Sequence, residues 1–276
     1  MKVRHIQIDY TDSELHWTPD TPEFAQFWNA SSTYLPYLEP FLNRTVRAGI
    51  AMLEDCEENA ELINDCKIFI QQETRHFKNH ARYNEKLRAS GYPELAQREK
   101  KMQADYKGFG ENRSHRFCLA YTEGFETLGL IMACYFLEGA KELESPTVCD
   151  PTLDLWRWHL AEEYEHRHVA FKLFHKLYKS YWYRLFGIMY AGPHMLKYMF
   201  STAFYIISED RKSGKIADPW RSRLRMLGVT CRMFAFVIPR LLKSFHPSYD
   251  PLNAAEPRES MRVLAQAEEK WGPASS

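Results

Sequence analysis

A chain of 276 residues, 45% of them hydrophobic, can bury a sizeable core as one large domain or two small ones. Its 36 Lys and Arg are balanced by 36 Asp and Glu, which excludes an overall charge that would draw it to nucleic acid or to an acidic partner. The six cysteines (Cys56, Cys66, Cys118, Cys134, Cys149 and Cys231) include no C-x-x-C pair and fall mostly in apolar helical stretches, so they read as small hydrophobes in a reducing cytosol and not as a disulfide framework.

The start, MKVRHIQIDYTDSE, is charged throughout and has no hydrophobic signal region, which makes the cytoplasm the expected location. Residues 1 to 20 look extended and irregular. Thr21-Pro22-Glu23 then opens a helix, with threonine as cap and proline at the first helical position. A second helix starts near Pro36 or Pro40, runs to about Leu53, and lines up Leu35, Glu39, Leu42, Val46, Ile50 and Leu53. The acidic stretch Glu54 to Asn59 reads as a turn, and residues 60 to 89 are helical again until Ser90-Gly91-Tyr92-Pro93 stops them. Residues 94 to 112 are charged, hold Gly108 and Gly110, and read as a long crossover. Arg113 to Leu137 is apolar nearly all round, as in a helix buried on most sides. Glu138 to Pro151 reads as a loop, and Trp156 to Phe174 as one further helix. No strand-like alternation of useful length, internal repeat or Gly-rich phosphate loop is present.

The stretch WRWHLAEEYEHRHVAFKLF carries the chemistry. At about 100° of turn per helical residue, His159, Glu163 and His166 fall on one line, which Leu155, Ala170, Leu173 and Leu177 continue. Two histidines and a carboxylate therefore point into a core, where a charge is costly unless paired, hydrogen-bonded or bound to metal. The stretch FIQQETRHFKNHARYN repeats the arrangement. Glu73, His76, His80 and Asn84 share a face with Cys66, Phe69, Phe77 and Leu87, while Arg75, Lys78, Arg82 and Lys86 lie opposite. Two inward E-x-x-H pairs, with one carboxylate from each of two further helices, form the donor pattern of di-iron and di-manganese bundles. Glu39 is the one acid on the inner line of its helix. Glu126 lies on the axis of the most apolar helix, with Glu123 a turn away as its rival. A third match, Glu165-x-x-His168, falls beside Lys172 and Lys176 and reads as a solvated face.

Spacing provides a separate check. With connections centred near residues 56 and 145, Glu39 and Glu73 each lie 17 residues from the first, and Glu126 and Glu163 lie 19 and 18 from the second. In antiparallel pairs such residues share one height, so the four carboxylates can converge. Gathered in a core they repel by several kcal/mol per pair at an effective dielectric of about 20. Two divalent cations would cancel that charge, and oxygen and nitrogen donors without thiolate suit iron or manganese, with zinc as a further option. A single buried Glu or His is more often a satisfied core polar group than a ligand. Six in this order are much harder to obtain by chance. His159 and His80 read either as ligands or as groups that orient one, and Glu162, at the edge of the face, as an orienting group.

These stretches also resemble known proteins. The order and spacing are similar to the ferritin-like di-iron superfamily. More narrowly, LPYLEPFLNRTVR, QQETRHFKNHARYN, FETLGLIMA, WHLAEEYEHRHVAF and the closing FHPSYDP resemble the bacterial family labelled "predicted metal-dependent hydrolase" over about residues 30 to 250. His159-x-x-x-Glu163-x-x-His166 also resembles the extra-histidine helix of di-iron arylamine N-oxygenases, a likeness confined to the metal helices. The resemblance implies an all-α, ferritin-like four-helix bundle, with a long crossover between the second and third ligand helices and additional N- and C-terminal helices. The expected division is residues 1–175 for the N-terminal segment and metal-binding bundle, 176–251 for a basic, aromatic helical extension packed on it, and 252–276 for a polar tail with one short helix.

The functional expectation is a non-haem di-iron oxidase or oxygenase that uses O₂ and an electron donor on an apolar, lipid-like or aromatic substrate. Two iron ions, manganese or a mixed pair would lie among Glu39, Glu73, His76, Glu126, His159, Glu163 and His166. Phe69, Phe77, Phe125 and Leu130 are the candidate substrate-pocket residues, and their apolar character tilts the reading toward oxidation. The alternatives are a dinuclear hydrolase of esters, amides or phosphoesters, with zinc, or an iron-storage protein without organic substrate. Residues 176 to 246 hold 13 Lys and Arg against 3 Asp and Glu, interleaved with apolar runs that Pro193, His194 and Lys197 interrupt. A spanning helix is therefore not expected. Residues 185 to 243 could instead lie on the inner membrane surface or roof a pocket for a lipophilic substrate, and a second copy of the chain is a further candidate partner.

Overall fold

Helix starts in this chain are set by proline and by short capping side chains. In the computed structural model, which describes residues 1–255 and 260–273, Pro22, Pro36, Pro151 and Pro219 each occupy one of the first two positions of a helix. Ser114 Oγ accepts from Phe117 N at 3.2 Å, Asp150 Oδ1 from Thr152 N at 2.7 Å, and Asp218 Oδ1 from Trp220 N at 3.0 Å. Thr21 stands at the first cap position with its hydroxyl unused for capping, and Thr18 Oγ1 accepts from Ala25 N instead.

Among the described residues every regular element is helical, and none is a strand. The elements are α1 (Pro22–Ser32), α2 (Leu35–Ile50), α3 (Glu57–Ala89), α4 (Leu95–Asn112), α5 (His115–Cys134), α6 (Pro151–His166), α7 (Val169–Tyr178), α8 (Tyr181–Lys212), α9 (Pro219–Ser244) and α10 (Ser260–Trp271). Two hairpins, α2 with α3 and α5 with α6, form the central bundle, in which α2 faces α5 and α3 faces α6. Helix α8 lies along α5 and α1, α9 lies against α1 and α5, and α4 covers α2. The closest approach is between α5 and α8, where a Cβ on Gly187 would come within 2.1 Å of Ala120 O and one on Gly124 within 2.7 Å of the Gly187 backbone. Only glycine lets these backbones meet.

Several sequence expectations need correction. Residues 94 to 112, expected as a long crossover, form a helix of their own: α4 buries Leu95, Glu99, Met102 and Tyr106 at helical spacing, a stripe hidden among charges. The Trp156–Phe174 segment is two helices. Arg167 turns out of line, with Nη1 donating to Tyr164 O at 2.7 Å and Nε to Pro251 O at 2.9 Å, and α7 restarts at Val169. Glu165 and His168 are not a solvated face. Glu165 accepts from Arg4 and Gln72, while buried His168 meets Asp65 Oδ2 at 2.9 Å. Cys56, Cys149 and Cys231 are exposed. The C-terminal segment docks rather than trails: α10 packs on α6, and Trp271 Nε1 donates to Asp154 Oδ2 at 3.1 Å. Residues 256–259 and 274–276 of that tail lie outside the described residues.

Candidate metal centre

Each bundle helix turns at least one acid inward at the same level. Glu39 comes from α2, Glu73 and His76 from α3, Glu126 from α5, and His159, Glu163 and His166 from α6, all at most 3% exposed. Donor atoms of Glu39, His76 and His159 lie within 4.8 Å of one another, and so do those of Glu73, Glu163 and His166. Glu163 joins the two groups, with Oε1 2.9 Å from His159 Nε2 and Oε2 3.5 Å from His166 Nε2. Glu126 Oε2 stands 3.4 Å from His166 Nε2. A Cβ on Gly129 would lie 2.8 Å from Glu163 Oε2, so the carboxylate rests directly on α5. Both oxygens of Glu39, Glu73 and Glu126, Glu163 Oε2, His76 Nδ1 and His166 Nε2 are buried and take no hydrogen bond within the protein. Leaving that many polar atoms unsatisfied in a core costs several kcal/mol, and nitrogen and oxygen lone pairs converging at these distances fit a pair of divalent cations.

Hydrogen-bond direction fixes which nitrogen each histidine presents. Arg4 Nη1 donates to Glu162 Oε1 at 2.9 Å, so Glu162 is an acceptor, and His76 Nε2 donates to its Oε2 at 2.9 Å. Nδ1 of His76 is thereby left bare toward the centre. Gln72 Nε2 donates to Lys2 O at 2.9 Å and to Glu165 Oε2 at 2.6 Å, which leaves Gln72 Oε1 to accept from His166 Nδ1 at 3.1 Å. Nε2 of His166 is bare. The third chain is longer: Asn84 Nδ2 donates to Ser32 O, Ser32 Oγ donates to Asn84 Oδ1, His80 Nδ1 donates to Ser32 Oγ, and His159 Nδ1 donates to His80 Nε2 at 2.7 Å. His159 therefore turns its Nε2 to the centre, where it meets Glu163 Oε1 at 2.9 Å. All three rings are held in the tautomer a metal ligand requires.

The same geometry sorts the sequence alternatives. His80 and Asn84 stand behind His159, and Glu162 stands behind His76. Glu123 faces away: its Oε1 takes Arg184 Nε at 2.7 Å and Thr127 Oγ1 at 3.0 Å. Arg4, Ser32 and Gln72 were not anticipated. Gln72 adjoins Glu73 on the buried side of α3, a usable signal, whereas nothing local marks Arg4 or Ser32.

A family model described as "Predicted metal-dependent hydrolase" matches residues 2–255. The chain belongs to that family. No curated protein and no solved structure matches it. The family description agrees with the two donor groups on metal dependence; in naming hydrolysis it favours the alternative reading of the sequence over oxidation.

Protein groups alone neutralise the cluster poorly. Burial, then Glu73, Glu163 and Glu126, push the Glu39 carboxyl well above its ordinary value. Burial and then Glu163 push Glu73 and Glu126 up to about 8. Burial would also raise Glu163, but His166 and His159 together hold it below the usual carboxylate range. His159 is lowered by burial and His76, and His80 well lowered by burial and His159, as suits neutral rings. Burial disfavours charge on His166, yet Glu163 and Glu126 drive it well above its ordinary value. Cations entering the centre must displace those protons.

A cavity of about 230 Å³ reaches the centre at His159 and Glu163. Its walls are Trp28, Tyr34 and Phe125 on the bundle side and residues such as Met195, Met233 and Val237 of α8 and α9 on the other. Of the four pocket residues expected from sequence, Phe125 lines it. Phe69 packs edge-on against His166, 4.8 Å between ring centres, Phe77 is half-buried at the margin of its helix, and Leu130 lies past Gly129 on the turn away from the cavity.

Proposed function

We propose that Glu39, Glu73, Glu126, Glu163, His76, His159 and His166 hold two iron ions, and that the protein oxidises a lipophilic substrate with O₂ and an external electron donor. The observation that carries this reading is the apolar cavity ending on Glu163 and His159. Bound iron would supply the O₂ activation that side chains cannot. The chain's own contribution is to orient the donors through three anchored hydrogen-bond chains, to hold an apolar substrate against the Glu163 side, and to exclude water with Trp28, Trp156 and the α8 and α9 side chains. Beyond the donors, the residues of the cavity wall offer the hydroxyls of Ser31 and Tyr34 and the indole N–H groups of Trp28 and Trp156 as polar groups, and no cation to receive a phosphate or carboxylate. No further acid or base stands there to protonate a leaving group.

Hydrolysis with two zinc ions is the second reading, favoured by the family description. Metal analysis of protein purified without chelator, followed by anaerobic Fe(II) loading and O₂ exposure, separates them. Two irons per chain with rapid O₂ consumption support oxidation. Two zincs with turnover of nitrophenyl esters overturn it.

A further inference from the structure

The outward faces of α8 and α9 carry apolar residues at the spacing a helix ordinarily turns to a core. Trp182, Phe186, Met189 and Pro193 are exposed on α8, and Trp220, Leu224, Leu227 and Ile238 on α9. Arg184 Nη1 donates to Ser244 O at 2.9 Å, tying the start of α8 to the end of α9, so Trp182 and Trp220 stand at opposite ends of the hairpin. At 78% and 65% exposure, these are the side chains that interfacial helices use as anchors. Met189, Pro193 and Ile238 are exposed and also line the cavity, so the route to the metal centre opens on this face between the two helices.

Charge follows the same segregation. Residues 176–246 hold 13 basic against 3 acidic side chains within a chain of 36 each, so an equal excess of acid lies elsewhere. Among the described residues, Lys179, Lys197, Arg223 and Lys243 make no ion pair. No helix of the described residues is long and apolar enough to cross a membrane. We infer that α8 and α9 seat the protein on an anionic lipid bilayer, lying in its surface plane, with the cavity mouth facing the acyl chains. A second copy on the same face would bring like charge against like charge and close the mouth. Seating stands on this surface alone; that the mouth admits substrate from the bilayer rests on the proposed chemistry.

The test is flotation of the full-length, metal-loaded protein with vesicles of phosphatidylcholine alone, or of phosphatidylcholine with about one-third phosphatidylglycerol. The expected result is recovery with the anionic vesicles at least about tenfold above the neutral ones, weakened by high salt. The double substitution W182E/L227E should lower anionic-vesicle recovery about tenfold, with circular dichroism and metal content unchanged. Absence of binding to both vesicles, or flotation of the variant equal to the parent, overturns the inference. So does a parent that sediments as a dimer, fails to float, and becomes monomeric in the variant, which would assign the face to a second copy. Metal content read on the parent samples keeps the two ideas apart: a parent that carries metal and does not float refutes the seating alone, and a parent that floats without metal refutes the centre alone.

Discussion

The bundle centre and the α8–α9 hairpin each reverse the usual placement of polarity, in opposite senses. In the centre, seven Glu and His side chains are buried with many of their polar atoms unpaired; on the hairpin, tryptophan, phenylalanine and leucine stand in solvent. The supports differ as well. Each histidine of the centre is aimed by a hydrogen-bond chain that ends in a fixed group, the Arg4 guanidinium, the Lys2 carbonyl or the Ser32 carbonyl, whereas the outer stripes are aimed by helix periodicity alone. A polar interior fixed to this degree calls for small hard ligands with set directions. An apolar exterior without such fixing suits a partner that has no set geometry, as a lipid surface does.

The strongest way to break the first half of that contrast is Glu163→Ala, which removes the one carboxylate shared by both donor groups. Metal affinity should fall by more than the roughly 10–100-fold expected when an outlying support is lost, as measured by metal content after dialysis. Next come Glu123→Gln and Glu126→Gln. The first should destabilise the fold by about 3–5 kcal/mol, because buried Arg184 loses its counter-charge, and should leave metal content intact. The second should lower metal content without that loss of stability; equal outcomes in the thermal melts would dissolve the distinction between the two acids. Asn84→Ala, at the far end of the His159 chain, should weaken metal binding about tenfold with the helices preserved.

A pH series sharpens the picture of an interior that takes protons when it lacks cations. Glu73 and Glu126 sit at about 8 in the folded chain against an ordinary 4.5. A raised folded-state value means their contribution to stability is complete below about 4.5 and is lost as pH rises through about 8. Metal-free protein should therefore melt progressively lower between about pH 4.5 and pH 8, while metal-loaded protein should not, so the gap between the two widens. The smallest effect belongs to the exterior: W182E/L227E should change unfolding stability in solution by no more than about 0.5 kcal/mol.

The convergence of these buried Glu and His side chains was legible in the sequence because a helix sorts residues by angle, so a glutamate or histidine in register with Leu42, Cys66 or Leu155 must share their burial. The helices α2, α3 and α5 were legible for the same reason. Helix α4 was not, since its stripe of Leu95, Glu99, Met102 and Tyr106 sits in a run of charges and includes a buried acid. The break after His166 carries neither glycine nor proline. The pairing of Arg4 with Glu162 spans 158 positions, far beyond any local pattern. Most telling is the hairpin: Trp182, Phe186 and Met189 have the same spacing as a core stripe, and periodicity alone cannot tell a face turned to the protein from one turned away.

The amino-terminal segment has a practical bearing on how this protein is handled. Lys2 offers its carbonyl to Gln72 and its amide to Glu165, and Arg4 grips Glu162 and Glu165. An affinity tag fused upstream, or trimming by a protease at the first few residues, therefore acts on the aim of His76 and His166. Samples that differ by nothing but such an end should differ in how fully they load.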